Sequence, residues 1–302
     1  MTTATTTTPT TTTRTTRTRT PRLELWVEAR AGQPAVNPVI AALLRHLAAD
    51  GRVVTVRVPE LDPLGQGRGP RPDLVLLKTA TTLGLSLALA DEAAGGKFLN
   101  PAAATSAAND KAAVVARLSS AAVPVPASYL IDPAGSACDG ADPSPVGTGG
   151  GWVSKPVFGW HGTGVRFHQT MADALAADGT APAEPGWLVD DGTRLLQRQV
   201  GFGEPDLKVY VAGERLFAAT KAFSSASFAS DDVSPVELDT VHRDIVRAAG
   251  AALGLRLFGV DLRFDAGAPV VIDVNPFPGF RGFPGAVSAL LAEVDRACLG
   301  LR

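Results

Sequence analysis

Phe258-Gly259-Val260-Asp261-Leu262-Arg263-Phe264 is followed by Asp265-Ala266-Gly267-Ala268-Pro269 and then by Val270-Val271-Ile272-Asp273-Val274-Asn275. Two apolar-rich runs joined by a short Gly-containing spacer predict a β-hairpin. With the turn centred on Gly267, Val260 faces Val274, Leu262 faces Ile272 and Phe264 faces Val270, which makes one wholly apolar face. The opposite face then holds Asp261 across from Asp273, with Asn275 two residues along on the same side. Two carboxylates in a cross-strand pair repel each other. A hard divalent cation removes that cost, and Asp and Asn oxygens are ligands that Mg²⁺ accepts alongside waters and phosphate oxygens. The competing reading is an exposed acidic face on an edge hairpin.

The segment leaving this hairpin is Asn275-Pro276-Phe277-Pro278-Gly279-Phe280-Arg281-Gly282. Proline fixes φ and glycine permits close approach, so the loop is stiff, tight and aromatic. Starting at the oxygen-bearing cluster, it is placed to shape a pocket beside a cation. Arg281 suits the anchoring of an anionic group there, and equally suits a solvated loop position.

Lysine usage points to the same chemistry. Of 28 basic residues only six are lysine, namely Lys78, Lys97, Lys111, Lys155, Lys208 and Lys221. Arginine serves wherever any cation will do, so each lysine reads as a specific choice, and its compact ammonium fits between phosphate oxygens. Lys155 lies near the end of the strand Trp152-Val153-Ser154-Lys155-Pro156, and Phe158-Gly159-Trp160-His161-Gly162-Thr163-Gly164 follows at once. A Gly-rich turn exposes backbone N–H groups that can wrap phosphate oxygens. Most such turns are hairpin tips; beside a strand lysine, this one predicts phosphate binding. Asp206-Leu207-Lys208 puts Asp206 and Lys208 on one face of a strand, and Lys221 ends the next strand. Leu195-Leu196-Gln197-Arg198-Gln199-Val200 runs from apolar to polar and offers backbone groups to an adenine edge. His161 is a lone histidine, a residue more often a structural donor than a reactant.

Elsewhere the pattern is one of alternating elements. Residues 23–27 and 52–58 read as strands, and residues 36–49 carry apolar side chains at helical spacing. A buried strand over 73–78 and a helix over 83–94 complete a β-α-β-β-α order, which predicts a small α/β domain with a largely parallel sheet. One helix is predicted over 109–121, then a strand over 127–131. Residues 133–150 are rich in Gly, Pro and Asp and read as a mobile loop. Strands are expected over 152–157, 164–168, 194–200, 207–211, 216–222, 257–264 and 269–274, and helices over 241–253 and 286–297. No internal repeat is present.

Composition sets outer bounds. The chain has 302 residues, 45% of them hydrophobic, and its net charge is −2, so nothing favours a nucleic-acid or anionic-membrane partner. No apolar run approaches the ~18 residues that a membrane span needs. Residues 1–20 are mostly Thr with Arg14, Arg17 and Arg19. Lacking an apolar core, they do not make a secretory signal; they faintly resemble a transit peptide and read best as a disordered tail. Two widely spaced cysteines, Cys138 and Cys298, suit free thiols in a reducing cytoplasm.

Taken in order, these segments resemble the ATP-grasp superfamily over residues 73–285. Asp110-Lys111 with Val123-Pro124-Val125-Pro126 resembles "DK…giPvP", and Ser154-Lys155-Pro156 through Gly164 resembles the strand lysine and phosphate-covering loop. Leu196 to Val200 is similar to "vQEyi", Asp206 to Gly213 to "DiRvfVvG", and Gly259-Val260-Asp261 with Asp273-Val274-Asn275 to "GvD…EvN". The resemblance implies an α/β (α+β) ATP-grasp fold: a tail over 1–21, a small N-terminal α/β domain over 22–100, and two β-rich lobes over 101–190 and 191–302 that clasp ATP. It implies that Lys111 and Lys155 contact ATP phosphates under the turn His161, Gly162, Thr163 and Gly164. Gln197, Arg198, Gln199 and Val200 would hold the adenine, with Asp206 completing the nucleotide site. Asp261, Asp273 and Asn275 would hold two Mg²⁺ ions, or Mn²⁺. Lys208 and Lys221 would face the γ-phosphate, and Arg281 and His161 would orient the acceptor.

The nearest subgroup is the RimK-like carboxylate–amine ligases, which implies activation of an acid as an acylphosphate and its joining to an amine, with ADP and phosphate released. Substrates would be small molecules or peptides, and a homo-oligomer is compatible. Three features depart from that subgroup: Lys208 where Arg is usual, Asp273 where Glu is frequent, and the absence of an Arg/Asn-containing segment after Lys221. Lys208-Val209-Tyr210-Val211, His161-Gly162-Thr163 and the DVNPFPG loop instead resemble inositol trisphosphate kinases, which share the fold and phosphorylate an alcohol. Against that alternative, residues 22–100 hold no lysine cluster suited to a polyphosphorylated sugar. A third reading is a non-enzymatic ATP-binding module.

Overall fold

The computed structural model describes residues 20–30, 32–62, 69–132, 137–138, 150–159, 163–176, 192–201, 205–221 and 234–300. The predicted tail, most of the 133–150 loop, and His161 and Gly162 lie outside them. Strand β1 (Arg22–Val27) turns Leu23, Leu25 and Val27 to one core and Trp26 to another. A two-stranded ribbon follows, β2 (Ala29–Arg30) with β3 (Gln33–Pro34). Helix α1 (Pro38–Ala49) starts where Asn37 accepts a hydrogen bond from the Ile40 N–H, with Pro38 opening the first turn. Then come β4 (Val53–Arg57), β5 (Leu74–Lys78) and α2 (Thr82–Ala93). The sheet order is β4-β1-β5, all parallel, as the β-α-β-β-α reading predicts. Lys78 is the last residue of β5, at the carboxyl edge of a parallel sheet, where ligand clefts form.

The helix read over residues 109–121 is present, and a further helix that the sequence reading lacks lies before it. Helix α3 (Ala102–Asn109) precedes α4 (Lys111–Ser120), and Asp110 caps α4 by accepting from the Ala112 and Ala113 N–H groups. Ala102–Asn109 is AAATSAAN, whose small residues carry no periodic stripe to signal a helix.

An antiparallel sheet follows, built from β6 (Ser128–Ile131), β7 (Ala137–Cys138), β8 (Trp152–Pro156), β9 (Arg166–His168) and β10 (Arg194–Arg198), in the order β7-β6-β10-β8-β9. The short helix α5 (Met171–Ala176), unread in the sequence, lies behind it. A second antiparallel sheet has the order β13-β12-β11-β14-β15. Its members are β11 (Asp206–Ala212), β12 (Arg215–Lys221), β13 (Ser234–Pro235), β14 (Leu257–Asp265) and β15 (Ala268–Pro276), with α6 (Thr240–Leu253) before β14 and α7 (Ala286–Leu299) after β15.

Packing decides which sheet face stays polar. Val209, Val260, Leu262, Val271 and Val274 of the second sheet pack on Val115 and Leu118 of α4 and on Val246 and Leu253 of α6. Leu290 and Val294 of α7 instead share a core with Leu23, Leu25, Leu43 and Leu47 of the N-terminal sheet and α1. With one face of the second sheet covered, the period of two turns Asp206, Lys208, Asp261 and Asp273 the other way, into a cleft. Among the described residues no helix is long and apolar enough to cross a membrane.

The β14–β15 hairpin corrects the predicted register in one respect. Its turn is two residues, Ala266 and Gly267, at φ 49° and 84°, between the paired Asp265 and Ala268. Two successive left-handed residues match the tight hairpin turn that follows sheet twist. Near the turn this offsets the pairing by one, so Leu262 faces Val271 and Phe264 faces Pro269. A bulge at Ile272 restores the register beyond it, and Asp261 faces Asp273 as the sequence predicts. Val271 therefore joins the core in place of Ile272, which lines the cleft.

Candidate active site

Three strands bring three charges into line. Lys208 of β11 pairs with Asp261 of β14, which pairs with Asp273 of β15, so the side chains form one row across the sheet. Lys208 Nζ donates to Asp261 Oδ2 at 2.6 Å, and these side chains are only 14% and 15% exposed. Burial works against charge on Lys208, yet Asp261 and Asp206 hold its pKa above the usual lysine value. Burial pushes the Asp261 carboxyl up, with Lys208 opposing and Asp273 adding to the rise. The next row is Tyr210, Gly259 and Asn275. Gly259 lies tight against Tyr210: a Cβ there would stand 3.0 Å from the ring and push it aside. Asn275 Nδ2 donates to Asp273 Oδ2 at 3.3 Å, so the amide leans toward the carboxylate pair. Among the described residues no three His, Cys, Asp or Glu side chains gather as a metal cluster. Two carboxylates and an amide oxygen are a sparse set that suits a cation keeping waters and phosphate oxygens.

Lys155 faces this row from the other sheet. It sits in β8 opposite Leu195, and its Nζ donates to the Ile272 carbonyl at 2.9 Å. The bulge aims that carbonyl out of the ladder toward the cleft. Burial lowers the Lys155 pKa; Asp273 and Asp261 pull it up, and Lys111 and Arg263 pull it down. Lys111, the first residue of α4, donates from Nζ to the Gly159 carbonyl at the start of the Gly-rich turn. Behind that turn, Arg194 is 4% exposed and donates to Ser154 Oγ, to the Ser154 carbonyl and to the Gly164 carbonyl. Ser154 Oγ also meets His168 Nε2 at 2.8 Å. Burial, then Arg194 and Arg166, lower the His168 pKa, which favours the neutral ring.

The predicted adenine segment lines the same cleft at Gln197, Arg198, Gln199 and Val200. The Arg198 N–H donates to the Ala127 carbonyl at 2.8 Å and the Gln199 N–H to the Gly151 carbonyl at 3.0 Å, so these two amides already have partners. The Gln197 side chain, 2% exposed, donates to Ser128 Oγ. Asp206 is buried and accepts from Arg263 Nε at 2.7 Å, and the same guanidinium donates to the Val200 and Gly201 carbonyls. Asp206 thus fixes the segment through Arg263, a residue the motif reading passed over although it lies two positions from Asp261 on the same face.

These groups converge on one cavity of about 860 Å³. Its walls include Lys111, Lys155, Thr163, Gln197, Arg198, Gln199, Val200, Asp206, Lys208, Asp261, Asp273, Asn275 and Arg281. Gly164 stands behind it on Arg194, and the Lys221 backbone pairs with Asp206 at the end of β12. Lys78 also lines the cavity and was not among the predicted site residues. Its Nζ donates to the Phe277 carbonyl at 2.8 Å, and burial lowers its pKa to about 8 despite the pull of Glu28. Lysine scarcity and its strand-end position were the available signals.

Comparison with known proteins agrees with this geometry. A family model for the inositol 1,3,4-trisphosphate 5/6-kinase ATP-grasp domain matches residues 219–294. A "Probable alpha-L-glutamate ligase 1" of Pseudoalteromonas atlantica (strain T6c / ATCC BAA-1087) is 33% identical over 98 residues, 30% of this chain and 32% of that protein. The chain spans about a third of the length of such curated relatives. The structure of D-alanine--D-alanine ligase from Bacillus anthracis complexed with ATP superposes with a TM-score of 0.63 at 15% identity, over 93% of this chain and 98% of that one. ATP-grasp ligase PsnB, complexed with precursor peptide PsnA2 and AMPPNP, gives 0.58 at 21% identity, over 91% and 98%. The structural likeness covers more than nine-tenths of the chain, and the range matched by the family model includes the hairpin that carries the carboxylate row. By fold the chain is similar to these ATP-grasp ligase structures, and the ATP-grasp family model matches its C-terminal part, residues 219–294.

Proposed function

We propose that this chain is an ATP-dependent carboxylate–amine ligase. The observation that carries the reading is the Lys208–Asp261–Asp273 row facing Lys155 across one cavity. Lys155 and Lys111 neutralise the nucleotide phosphates, and the Thr163–Gly164 end of the Gly-rich turn offers backbone N–H groups to them, the role the resemblance also gives His161 and Gly162. Val200 meets the adenine edge, since the Arg198 and Gln199 amides are engaged elsewhere. Gln197, Arg198 and Gln199 complete that wall, and Asp206 steadies it through Arg263.

Asp261, Asp273 and Asn275 fit magnesium: paired, part-buried carboxylates need a positive charge, and Lys208 donates to only Asp261. Two Mg²⁺ ions, with Mn²⁺ as a substitute, would supply charge neutralisation on the transferring phosphoryl group. Lys208 offers further positive charge on the γ-phosphate side, the role the resemblance also implies for Lys221, and Arg281 orients the acceptor acid. A substrate carboxylate oxygen attacks the γ-phosphorus as the bond to ADP breaks. The amine then attacks the acyl carbon, phosphate leaves, and the amine loses a proton as the amide forms. The substrates are proposed to be an amino acid or peptide, by analogy with the glutamate-ligase relatives and PsnB. A cytoplasmic site of action and the division into residues 22–100, 101–190 and 191–302 go with this reading.

One observation favours a second reading. The kinase-domain model spans residues 219–294, and phosphorylation of a polyol hydroxyl would use the same row. A screen of amino acids, short peptides and inositol phosphates with ATP and Mg²⁺ separates the two. A ligase releases free phosphate only when an amine is present, and the product gains the mass of the acid minus water. A kinase leaves the phosphate on its acceptor. Without acceptor-dependent ADP formation in either case, the enzymatic reading falls.

A further inference from the structure

Two residues of the N-terminal domain hold the loop that follows the proposed metal ligand Asn275. Lys78 Nζ donates to the Phe277 carbonyl at 2.8 Å and lies 5.3 Å from the centre of the Phe277 ring. Asn37 Nδ2 donates to the Gly279 carbonyl at 3.1 Å, while its Oδ1 caps α1. Between and beside these anchors the backbone is strained. Phe277 and Phe280 have φ of 44° and 53°, left-handed values that bulky L-residues rarely adopt. Such conformations persist only where the surroundings over-determine them. Here both rings are buried, Phe280 in an edge-on stack with Tyr210 and Phe217. The Phe277 N–H is fixed to the Leu257 carbonyl at 2.8 Å. The loop is therefore held at one end by its own sheet and in the middle by two donors that lie 199 and 242 residues away in sequence.

We infer that Lys78 and Asn37 are positioning residues: by clasping the Phe277 and Gly279 carbonyls they keep residues 277–280 in the strained form that sets Asn275 and Arg281 toward the cavity. The metal-site half of this inference rests on the proposed function; the clasp itself does not. It makes the N-terminal domain a part of the cation site although it supplies no ligand to it. Outer partners that orient ligands in this way commonly change metal affinity when removed.

Three variants test it. Lys78→Met keeps the stem and loses the donor, and Lys78→Arg keeps both charge and donor. Asn37→Asp keeps the α1 cap and cannot donate to Gly279. Hydrogen exchange on the ligand-free protein is the first readout. Lys78→Met and Asn37→Asp are each expected to speed exchange at the amides of residues 277 and 279–282 by roughly tenfold, with β14 unchanged. The second readout is the Mg²⁺ concentration at half-maximal thermal protection by ATP. It is expected to rise by roughly tenfold in both variants, to rise in the double variant by less than the product of the two, and to be rescued in Lys78→Arg. Unchanged exchange overturns the clasp. Faster exchange with an unchanged Mg²⁺ midpoint overturns the link to the cation site, and a raised acceptor KM alone would assign Lys78 to substrate contact instead. Wild-type protein that shows no Mg²⁺-dependent protection by ATP would count against the proposed function, while the exchange result still decides the clasp.

Discussion

Lys155 and Ile272 meet across the cleft: the lysine Nζ donates to the isoleucine carbonyl at 2.9 Å, joining the two antiparallel sheets. The acceptor is the bulged residue of β15. One extra residue thus does two things. It restores the pairing that sets Asp261 against Asp273, and it frees a carbonyl to hold a lysine in a place where a phosphate oxygen would compete for it. Lys155→Met removes the donor and keeps most of the volume. A loss of ATP affinity of roughly tenfold or more is expected by calorimetry, as one charge-assisted contact of about 1.5–3 kcal/mol disappears. The ligand-free melting temperature should change little, because burial already disfavours the charged lysine.

The two carboxylates of the row should respond in opposite directions. Asp273→Asn removes like-charge repulsion and leaves the Lys208–Asp261 pair intact, so the ligand-free protein is expected to hold or gain up to about 1 kcal/mol. Asp261→Asn deprives half-buried Lys208 of its hydrogen-bonded partner and should lose about 1–3 kcal/mol. Both should abolish Mg²⁺-dependent protection by ATP and lower turnover by at least about a hundredfold. Chemical denaturation with and without Mg-ATP distinguishes the two effects.

Arg263→Gln tests the wall next to Val200. It breaks the pair with buried Asp206 and two bonds to the Val200 and Gly201 carbonyls. A stability loss of about 2–4 kcal/mol is expected, since Asp206 is left buried without its closest cation. Restoring shape at the other partner, as Arg263→Gln with Asp206→Asn, should recover part of the stability. A double-mutant cycle measures the coupling.

Lys78 makes stability depend on pH in the alkaline range. Its pKa is about 8 in the folded protein against 10.5 unperturbed, so between those values the unfolded chain binds more protons. Stability attributable to this group therefore rises with pH. The penalty is fully present below pH ~8 and fades as pH approaches ~10.5, amounting to at most about 3–4 kcal/mol. Denaturation midpoints of wild type and Lys78→Met from pH 7 to 10 should show the wild type gaining on the variant. A constant difference would contradict the burial of this charge.

Much of this architecture can be read without coordinates wherever a local rule is strong. Period-two alternation and a short Gly-containing turn predict a hairpin with one polar face, whereas the Asp261–Asp273 pairing is delivered by the bulge at Ile272, which restores the register that the two-residue turn had shifted. Lysine scarcity marks six residues, of which Lys78, Lys111, Lys155 and Lys208 line the cavity. Where local signals are weak, the reading misses: the alanine-rich α3 carries no stripe, and nothing in VVIDVN announces a bulge at Ile272.

The remainder belongs to tertiary structure. Lys78 and Phe277, Asn37 and Gly279, and Lys155 and Ile272 are each separated by more than a hundred residues. Their meeting depends on how α7 packs into the N-terminal core and how the two antiparallel sheets face each other. Local sequence dictates which face of each strand is polar. Only the packing of those faces decides that the polar ones enclose a single cavity, because hydrophobic burial is non-directional and cares about the side it covers, not about the charges it leaves facing one another.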